Sequence, residues 1–275
     1  MAGLRRSRMT NVLAQQPAVE LRAVRKSYGH VDALRRADLS VYPGQVTALV
    51  GDNGAGKSTA IKVLSGAIVP DGGEMLIDGE VQRFASPLDA RASGIETVYQ
   101  DLALAADLDP AANLFLGRET LRSGPLGRWF HFLDFAAMER ETQERLRELR
   151  IELGPGAARS VDALSGGQRQ AVAIARATSW SRKLLILDEP TAALGVQQTE
   201  VVFDLVRRVR DQGQAVLVVL HNIPQVFEIA DRITVLRLGQ TVGQFATADT
   251  SMGEIVSLMT GVPVGAVLDR DEGDG

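Results

Sequence analysis

Short apolar runs alternate with amphipathic segments along this chain. Three runs are apolar on both faces, namely VTALV at 46–50, LLIL at 184–187 and AVLVVL at 215–220. Strands of a parallel sheet have this composition when helices cover both sides of the sheet. Between Gly195 and Gly213 the apolar residues recur instead at helical spacing, and Gly213 provides a stop. This alternation predicts an α/β fold with a mostly parallel sheet.

The middle of the chain differs from the rest in its pattern of charged and apolar residues. The charged segment AAMERETQERLRELR at 136–150 has the composition of a solvated helix, and a loop-like stretch rich in glycine precedes it. We predict a helical subdomain at about 101–175, within a single domain of residues 19–262. Residues 1–18 are predicted to be a disordered extension, and residues 263–275 an acidic tail.

The composition of the chain excludes several classes of function. The 275 residues include 30 Lys and Arg against 34 Asp and Glu, a net charge of -4, so no global positive field attracts DNA or RNA. The absence of cysteine excludes disulfides, thiol nucleophiles and thiolate metal sites. The longest apolar run, residues 215–220, is far shorter than the roughly 20 residues that cross a bilayer. Neither a nucleic-acid partner nor a membrane span is predicted.

A phosphate-binding loop is indicated by GDNGAGKS at 51–58, which fits GxxxxGK[ST] between a buried strand and a helical pattern. Its glycines let successive N–H groups point at one phosphate, and the helix start reinforces this anion site. Lys57 adds a charge for the β and γ phosphates, and the Ser58 hydroxyl can bind Mg²⁺. Asn53 either binds phosphate or favours the turn, and the sequence leaves both readings open. The predicted nucleotide-binding residues here are Gly51, Asp52, Asn53, Gly54, Ala55, Gly56, Lys57, Ser58 and Thr59.

Two carboxylates follow a predicted central strand in LLILDEP at 184–190. Open α/β sheets bind ligands beyond the carboxyl ends of their strands. We therefore predict that Asp188 holds the metal, and that Glu189 acts on the attacking water as a general base or polarising group. The alternative is a pair of solvated loop acids.

A second anion-binding element is indicated by LSGGQRQAVAIARA at 164–177. Ser165 is the predicted N-cap of a helix, and a helix start exposes N–H donors and the positive end of a dipole. By itself the pattern fits equally well a simple cap on a packed helix. The predicted nucleotide contacts of this element are Ser165, Gly166, Gly167 and Gln168.

These three motifs, in this order, resemble the ATP-binding cassette (ABC) family of ATPases, in which LSGGQ is the signature element. The resemblance covers nearly the whole chain. It implies a P-loop core, an antiparallel β subdomain near the N-terminus and an inserted helical subdomain. It also implies a head-to-tail homodimer that encloses two ATP molecules with Mg²⁺. In that dimer the signature of one copy faces the phosphate loop of the other.

The resemblance also assigns roles to three single residues. Gln100, in TVYQD, corresponds to a glutamine that senses Mg²⁺ and the attacking water, and otherwise would be a surface amide. His221, in VVLHN, corresponds to a histidine that contacts the γ-phosphate, and otherwise would be a loop imidazole. Tyr28, in KSYG, corresponds to an aromatic that stacks on adenine, and otherwise would pack at a strand edge. The predicted catalytic residues are thus Lys57, Gln100, Glu189 and His221, and the predicted metal ligands are Ser58, Gln100 and Asp188.

One position departs from the family pattern. Gly195, in TAALG, stands where many members have an aspartate that links the two nucleotide sites, so communication between the sites is predicted to differ. TAALG, NLFLGRE at 113–119, GPLGR at 124–128 and MGEIVSLMTG at 252–261 resemble bacterial importers of ribose, xylose and fructose. Many of those relatives fuse two cassettes, whereas this chain has one phosphate loop. The chain would therefore pair with itself.

The resemblance implies the energising subunit of a monosaccharide importer. Such a subunit is peripheral, on the cytoplasmic face of the inner membrane, and binds integral-membrane permease subunits. A sugar-binding protein would be an indirect partner. The alternatives are an ATPase for another solute or an exporter, an ABC protein that acts on nucleic acid, and a regulatory module that holds ATP without turnover. The sequence does not name the sugar.

Overall fold

The computed structural model of the chain describes residues 16–124, 129–154 and 160–262. The predicted acidic tail lies outside the described residues, as does nearly all of the predicted N-terminal extension. Most of GPLGR also lies outside them.

A single sheet organises the described part of the chain. Its ten strands are β1 (Val19–Tyr28), β2 (Val31–Val41), β3 (Val46–Val50), β4 (Gly72–Ile77), β5 (Glu80–Gln82), β6 (Ile95–Val98), β7 (Leu184–Asp188), β8 (Val216–Val219), β9 (Arg232–Arg237) and β10 (Gln240–Ala246). Their spatial order is β5-β4-β1-β2-β10-β9-β3-β8-β7-β6. Strands β9, β3, β8, β7 and β6 are parallel, whereas β2, β1, β4 and β5 pair antiparallel. The predicted fold class, a mostly parallel core with an N-terminal antiparallel β region, is confirmed.

Eight α-helices accompany the sheet in the described residues. They are α1 (Lys57–Leu64), α2 (Pro87–Ala92), α3 (Pro110–Leu114), α4 (Phe135–Glu148), α5 (Gly166–Trp180), α6 (Val196–Asp211), α7 (Ile223–Ile229) and α8 (Met252–Thr260). None of these helices is long and apolar enough to span a membrane.

The core lies on both faces of the parallel strands. In β7, Leu185 and Leu187 belong to one hydrophobic cluster, and Leu184 and Ile186 belong to a second cluster on the opposite face. This division follows from the alternation of side chains along a strand. It explains why the central strands are continuously apolar, as the sequence pattern indicated.

The segment predicted as a helical subdomain contains α3, α4 and most of α5. A separate and smaller hydrophobic cluster holds these helices together: Leu114, Phe115, Met138, Val161, Leu164 and Val172. The side chain of Asn113 is buried and bonds to the backbone N–H and C=O of Ala105 and to the carbonyls of Leu108 and Asp109, which fixes the loop before α3. The boundaries of the subdomain stay a prediction.

Candidate active site

The carboxyl ends of four parallel strands lie side by side. Three register pairs align them: Leu49 with Val219, Asp188 with Val219, and Leu187 with Val98. Four predicted site residues follow these strand ends within two positions: Gly51, Gln100, Glu189 and His221. The structure therefore brings the phosphate loop and the predicted catalytic groups to one edge of the sheet, where α/β folds bind ligands.

The phosphate loop can approach its neighbours only because it carries glycines. A Cβ atom on Gly51 would lie 2.2 Å from the carbonyl oxygen of Leu236, and one on Gly56 would lie 2.7 Å from that of Ala33. Gly56 also has φ 106 and is the N-cap of α1. The free N–H groups at the start of α1 are thus held next to the loop, in the arrangement that binds phosphate in other proteins. The exposed part of the loop includes Asp52, Asn53, Gly54 and Ser58, while Thr59 is half-buried.

Lys57 is buried beneath this loop, with 7% of its surface exposed. Its Nζ donates hydrogen bonds to the carbonyl oxygens of Gly51 (2.7 Å) and Asp52 (3.0 Å). Burial lowers the pKa of Lys57, and the negative charges of Glu189, Asp52 and Asp188 oppose that shift. The ammonium group therefore lies within electrostatic reach of both predicted catalytic carboxylates.

Asp188 and Glu189 have different surroundings although they are adjacent. Burial, followed by the neighbouring charge of Glu189, raises the pKa of Asp188, while His221 and Lys57 act in the opposite direction. Glu189 has φ 51, the left-handed region that a residue with a Cβ adopts at some cost. Its N–H donates to the carbonyl of Val219 at 3.1 Å, which ties this turn to β8.

His221 contacts Glu189 directly. The His221 Nε2 and Glu189 Oε1 atoms are 2.5 Å apart, a hydrogen bond between residues that are 32 positions apart in sequence. The His221 side chain is 45% exposed and the Glu189 side chain 25% exposed, so both reach the solvent-facing side of the site. The unusual backbone of Glu189 and this hydrogen bond together fix where the carboxylate points.

Gln100 is exposed and follows β6 on the same edge. The loop after it is held by Arg176 of α5, whose guanidinium donates to the carbonyl oxygens of Leu102 and Ala103, both at 2.8 Å. Sequence reasoning missed Arg176, because nothing in IARA indicates a partner more than 70 residues away. Arg176 joins the helix of the signature element to the loop of Gln100.

Tyr28 lies beside the phosphate loop, at the end of β1. It pairs with Val31, two positions before Ala33, whose carbonyl approaches Gly56. Its side chain is exposed, at 46%, and the Lys26 ammonium lies 5.8 Å from its ring centroid. An exposed ring in this place could stack on a nucleobase, so its predicted contact with adenine stays a prediction with a compatible geometry.

The signature element forms a capped helix start, as predicted. The Ser165 hydroxyl accepts a hydrogen bond from Gln168 N at 3.3 Å, and Gln168 Oε1 accepts one from Ser165 N at 3.0 Å. The Gln168 Nε2 also donates to the carbonyl of Leu153 at 3.1 Å, so both ends of its side-chain amide are hydrogen-bonded within the chain. A Cβ on Gly166 or Gly167 would contact Leu194 or Gln198, respectively, at 3.2–3.3 Å. Within the described residues no hydrogen bond joins this element to the phosphate loop.

The fold and the site define a nucleotide-binding cassette of the P-loop type. Residues 34–192, more than half of the chain, match the ABC transporter family. The chain belongs to this family, and the predicted family is confirmed.

Among curated relatives, the fructose import ATP-binding protein FrcA of Rhizobium meliloti is 48% identical over 249 residues, covering 90% of this chain and 96% of its own length. The xylose/arabinose import ATP-binding protein XylG of Sulfolobus acidocaldarius is 44% identical with the same coverage. The ribose import ATP-binding protein RbsA 2 of Escherichia coli O157:H7 is 38% identical over 93% of this chain. This chain spans only 49% of the length of that ribose protein.

Solved ABC cassettes have the same fold. One in its ADP conformation has a TM-score of 0.74 at 24% identity and covers 92% of this chain and 99% of its own. A dimeric cassette in a post-hydrolysis state, bound to ADP and Pi, has a TM-score of 0.67 at 25% identity over 83% of this chain and 98% of its own.

Proposed function

We propose that the chain is the ATP-binding and ATP-hydrolysing subunit of an ABC importer that energises uptake of a monosaccharide through a separate membrane permease. The observation that carries the proposal is the match along nearly the full length of a fructose import ATP-binding protein. Matches to xylose/arabinose and ribose import proteins support the same substrate class. The site supports the chemistry, because Lys57, Asp188, Glu189 and His221 meet at one sheet edge.

In this proposal the phosphate loop binds the triphosphate of ATP with its N–H groups. Lys57 leaves its two carbonyl partners or shares their hydrogen bonds, and places its charge against the β and γ phosphates. Tyr28 stacks on adenine from the neighbouring hairpin. These contacts position the γ-phosphate beside Glu189.

The donor set at this edge fits Mg²⁺. The Ser58 hydroxyl and Asp188 carboxylate are hard oxygen ligands, and Mg²⁺ in phosphate sites needs only one or two protein oxygens besides the phosphates. Burial and the neighbouring charge of Glu189 raise the pKa of Asp188 although His221 and Lys57 act in the opposite direction, so a cation beside this carboxylate would favour its ionised form. Ser58, Asp188 and Gln100 would hold the ion, which when bound would neutralise phosphate charge.

Glu189 is the proposed base for hydrolysis. Its carboxylate accepts a proton from the attacking water or polarises it, a contribution worth about 10²–10⁴ in rate. The hydrogen bond to His221 holds Glu189 Oε1 in one orientation. His221 in turn lies at the carboxyl end of β8, where it can also contact the γ-phosphate.

The second anion-binding element suggests how two chains cooperate. Ser165 caps the exposed start of α5, and within the described residues this element makes no hydrogen bond to the phosphate loop of the same chain. A head-to-tail homodimer would bring this helix start to the γ-phosphate held by the other copy. A related solved cassette is a dimer with ADP and Pi.

The permease would dock at the boundary between β6 and the helical subdomain, on the cytoplasmic face of the membrane. A cavity of about 230 Å³ lies there, next to the loop of Gln100, and its lining includes Glu96, Leu114, Leu116, Arg118 and Trp180. Arg118 bridges the two sides, because it bonds to Glu96 at 2.5 Å and lies 4.8 Å from the ring centroid of Trp180. A helix docked here would sense movement of the Gln100 loop. A sugar-binding protein would act only through the permease.

A transport experiment tests the proposal. In cells that depend on this chain, uptake of labelled fructose, xylose and ribose is measured with wild type and with Lys57→Ala, and the permease is identified by co-purification from membranes. We expect uptake of at least one sugar, lost in Lys57→Ala. Normal ATP turnover by the variant would contradict the site assignment, and co-purification with an exporter would contradict the import assignment.

A further inference from the structure

Two turns carry Glu189 and His221, and each turn follows a strand of the parallel core. Glu189 comes directly after β7, and its carbonyl accepts a hydrogen bond from Ala192 N at 3.3 Å, which closes a tight turn. His221 comes two positions after β8. We name residues 189–192 the glutamate turn and residues 221–225 the histidine turn. Because β7 and β8 are paired neighbours, the two turns lie side by side.

The first connection between the turns is the hydrogen bond of His221 with Glu189, on their solvent-facing side. Water competes for hydrogen bonds at such a position, so this contact contributes only modestly to holding the carboxylate. The Glu189 backbone also lies in the left-handed region, at φ 51, a conformation that the surrounding structure has to maintain. The contacts that maintain the glutamate turn therefore decide where the carboxylate points.

A second hydrogen bond joins the turns on their buried side. The Thr191 hydroxyl donates to Gln225 Oε1 at 3.1 Å. Thr191 is 7% exposed and Gln225 is half-buried, so water reaches this bond less than it reaches the bond of His221 with Glu189. Thr191 lies only two positions after Glu189. The bond therefore holds the glutamate turn close to the catalytic carboxylate itself.

Gln225 is held in place by its own neighbours. Its backbone N–H donates to Asn222 Oδ1 at 3.2 Å, and Asn222 is the N-cap of α7 directly after His221. Val226, the next residue of α7, is fully buried in the larger core cluster. The acceptor of the Thr191 hydroxyl is thus fixed to the core and to the residue next to His221.

Two hydrogen bonds and two short chain segments thus form a closed ring that contains Glu189, Thr191, Gln225 and His221. We propose that Thr191 and Gln225 are positioning residues for hydrolysis, which hold the glutamate turn against the histidine turn so that the Glu189 carboxylate faces the attacking water. The proposal rests on the proposed function, because it requires Glu189 to be the base. A base acts only within hydrogen-bond distance of the proton that it accepts, so a small displacement of the turn slows the reaction.

Substitutions that remove the bond with little change in side-chain size test the proposal. Thr191→Val removes the hydroxyl and Gln225→Leu removes the acceptor, and ATP turnover by the purified full-length chain is measured at saturating ATP. We expect kcat to fall about 10- to 100-fold in each variant, while ATP affinity and the midpoint of urea unfolding stay close to wild type. The double variant should lose no more than the larger single loss, because both changes remove the same bond. Thr191→Ser keeps the hydroxyl and should retain most of the wild-type kcat.

The matched control is Thr250→Val. The Thr250 hydroxyl likewise donates to a side-chain oxygen, Glu254 Oε2 at 2.8 Å, and Thr250 is half-buried and lies outside both turns. Its substitution removes a comparable hydrogen bond elsewhere in the chain. The control variant should therefore keep the wild-type kcat.

The Glu189→Gln background shows whether the effect passes through the carboxylate. That variant has no base to position, so adding Thr191→Val should change its residual single-turnover rate by less than about twofold. A merely structural role of Thr191 would lower the residual rate or the ATP affinity further, because it does not depend on the carboxylate.

Three results would overturn the proposal: a wild-type kcat in Thr191→Val or Gln225→Leu, a double variant whose loss is the product of the single losses, or a further loss when Thr191→Val is added to Glu189→Gln. The proposed function stands in all three cases, provided that Glu189→Gln alone stops hydrolysis. Turnover by Glu189→Gln at the wild-type rate would instead remove the proposed base, and this proposal with it.

Discussion

The edge of the central sheet and the helical subdomain differ in packing and in exposed surface. At the sheet edge, Asp188 ends the buried strand β7 and pairs with Val219, Glu189 follows it, and Lys57 begins helix α1 after β3. The helical subdomain has a small cluster of its own, and it exposes apolar side chains and a cleft. Chemistry at a phosphate requires fixed positions, whereas partner binding requires accessible surface. The two regions are packed around separate hydrophobic clusters, and the proposed function places catalysis in one region and coupling in the other.

The largest expected effect separates these regions by function. Glu189→Gln removes the base but keeps the size of the side chain, so hydrolysis should fall by about 10²–10⁴. ATP should remain bound and bridge two chains, because slow hydrolysis preserves a ligand that favours the closed dimer. Turnover assays and light scattering with ATP and with ADP measure both effects. A variant that stays monomeric at high ATP would contradict the enclosed-ATP dimer.

A second substitution, in the helical subdomain, tests the same dimer from its other side. Ser165→Arg, added to Glu189→Gln, should abolish the ATP-dependent dimer while each chain still binds ATP through its own phosphate loop. Ser165 caps α5 and is exposed, so the larger side chain blocks the helix start without entering the core. A dimer that tolerates Ser165→Arg would place the interface elsewhere.

The second prediction concerns stability. Leu185 of β7 is fully buried in the core. Leu185→Ala should lower the unfolding free energy by about 2–5 kcal/mol, because it leaves a closed cavity. Met138 borders a cavity of about 380 Å³ in the helical subdomain, so Met138→Ala enlarges an existing space. Met138→Ala should therefore lower the unfolding free energy by only about 2 kcal/mol, the lower end of the range for such truncations. Urea denaturation measures both, and equal losses would show that the two regions pack alike.

The third prediction concerns a residue outside both regions. Tyr28→Ala should weaken ATP binding by about 1–3 kcal/mol, the usual value of base stacking, with little change in kcat. Stacking on adenine stabilises ground state and transition state equally, so the effect appears in KM. Tyr28→Phe retains a ring and should behave as wild type. A large fall in kcat at saturating ATP would show that Tyr28 has another role.

Much of this site is predictable from sequence because its motifs are continuous. Residues 51–59 run from the end of β3 into the first turn of α1, and the Ser165 cap and Gln168 are three positions apart. The hydrogen bond of His221 with Glu189 is not visible in either motif, since it depends on the pairing of β7 with β8. The roles of Gln168 toward Leu153 and of Arg176 toward the Gln100 loop likewise depend on tertiary packing.

The smallest expected effect concerns the unfolding free energy, and it tests whether the ionised Asp188 carboxylate at the sheet edge destabilises the folded chain. Burial and the adjacent Glu189 raise the pKa of Asp188, so ionised Asp188 costs more in the folded than in the unfolded chain. A carboxyl with a raised folded pKa stabilises most when protonated, and that stability is lost as pH rises from about its ordinary 3.8 through the raised value.

Asp188→Asn keeps the shape and removes the charge. In the absence of nucleotide it should raise the unfolding free energy by roughly 1 kcal/mol at neutral pH, a small value because solvent screens this partly exposed edge. The gain should shrink as pH falls and the wild-type carboxyl protonates. Hydrolysis should nearly stop, because the amide cannot supply the charge that Mg²⁺ needs. Urea melts of both proteins across the acidic-to-neutral range decide it. A variant less stable than wild type at neutral pH would mean that Asp188 is stabilised by Lys57 and His221 more than it is penalised by burial, and the sheet edge would then be built for stability as well as for catalysis.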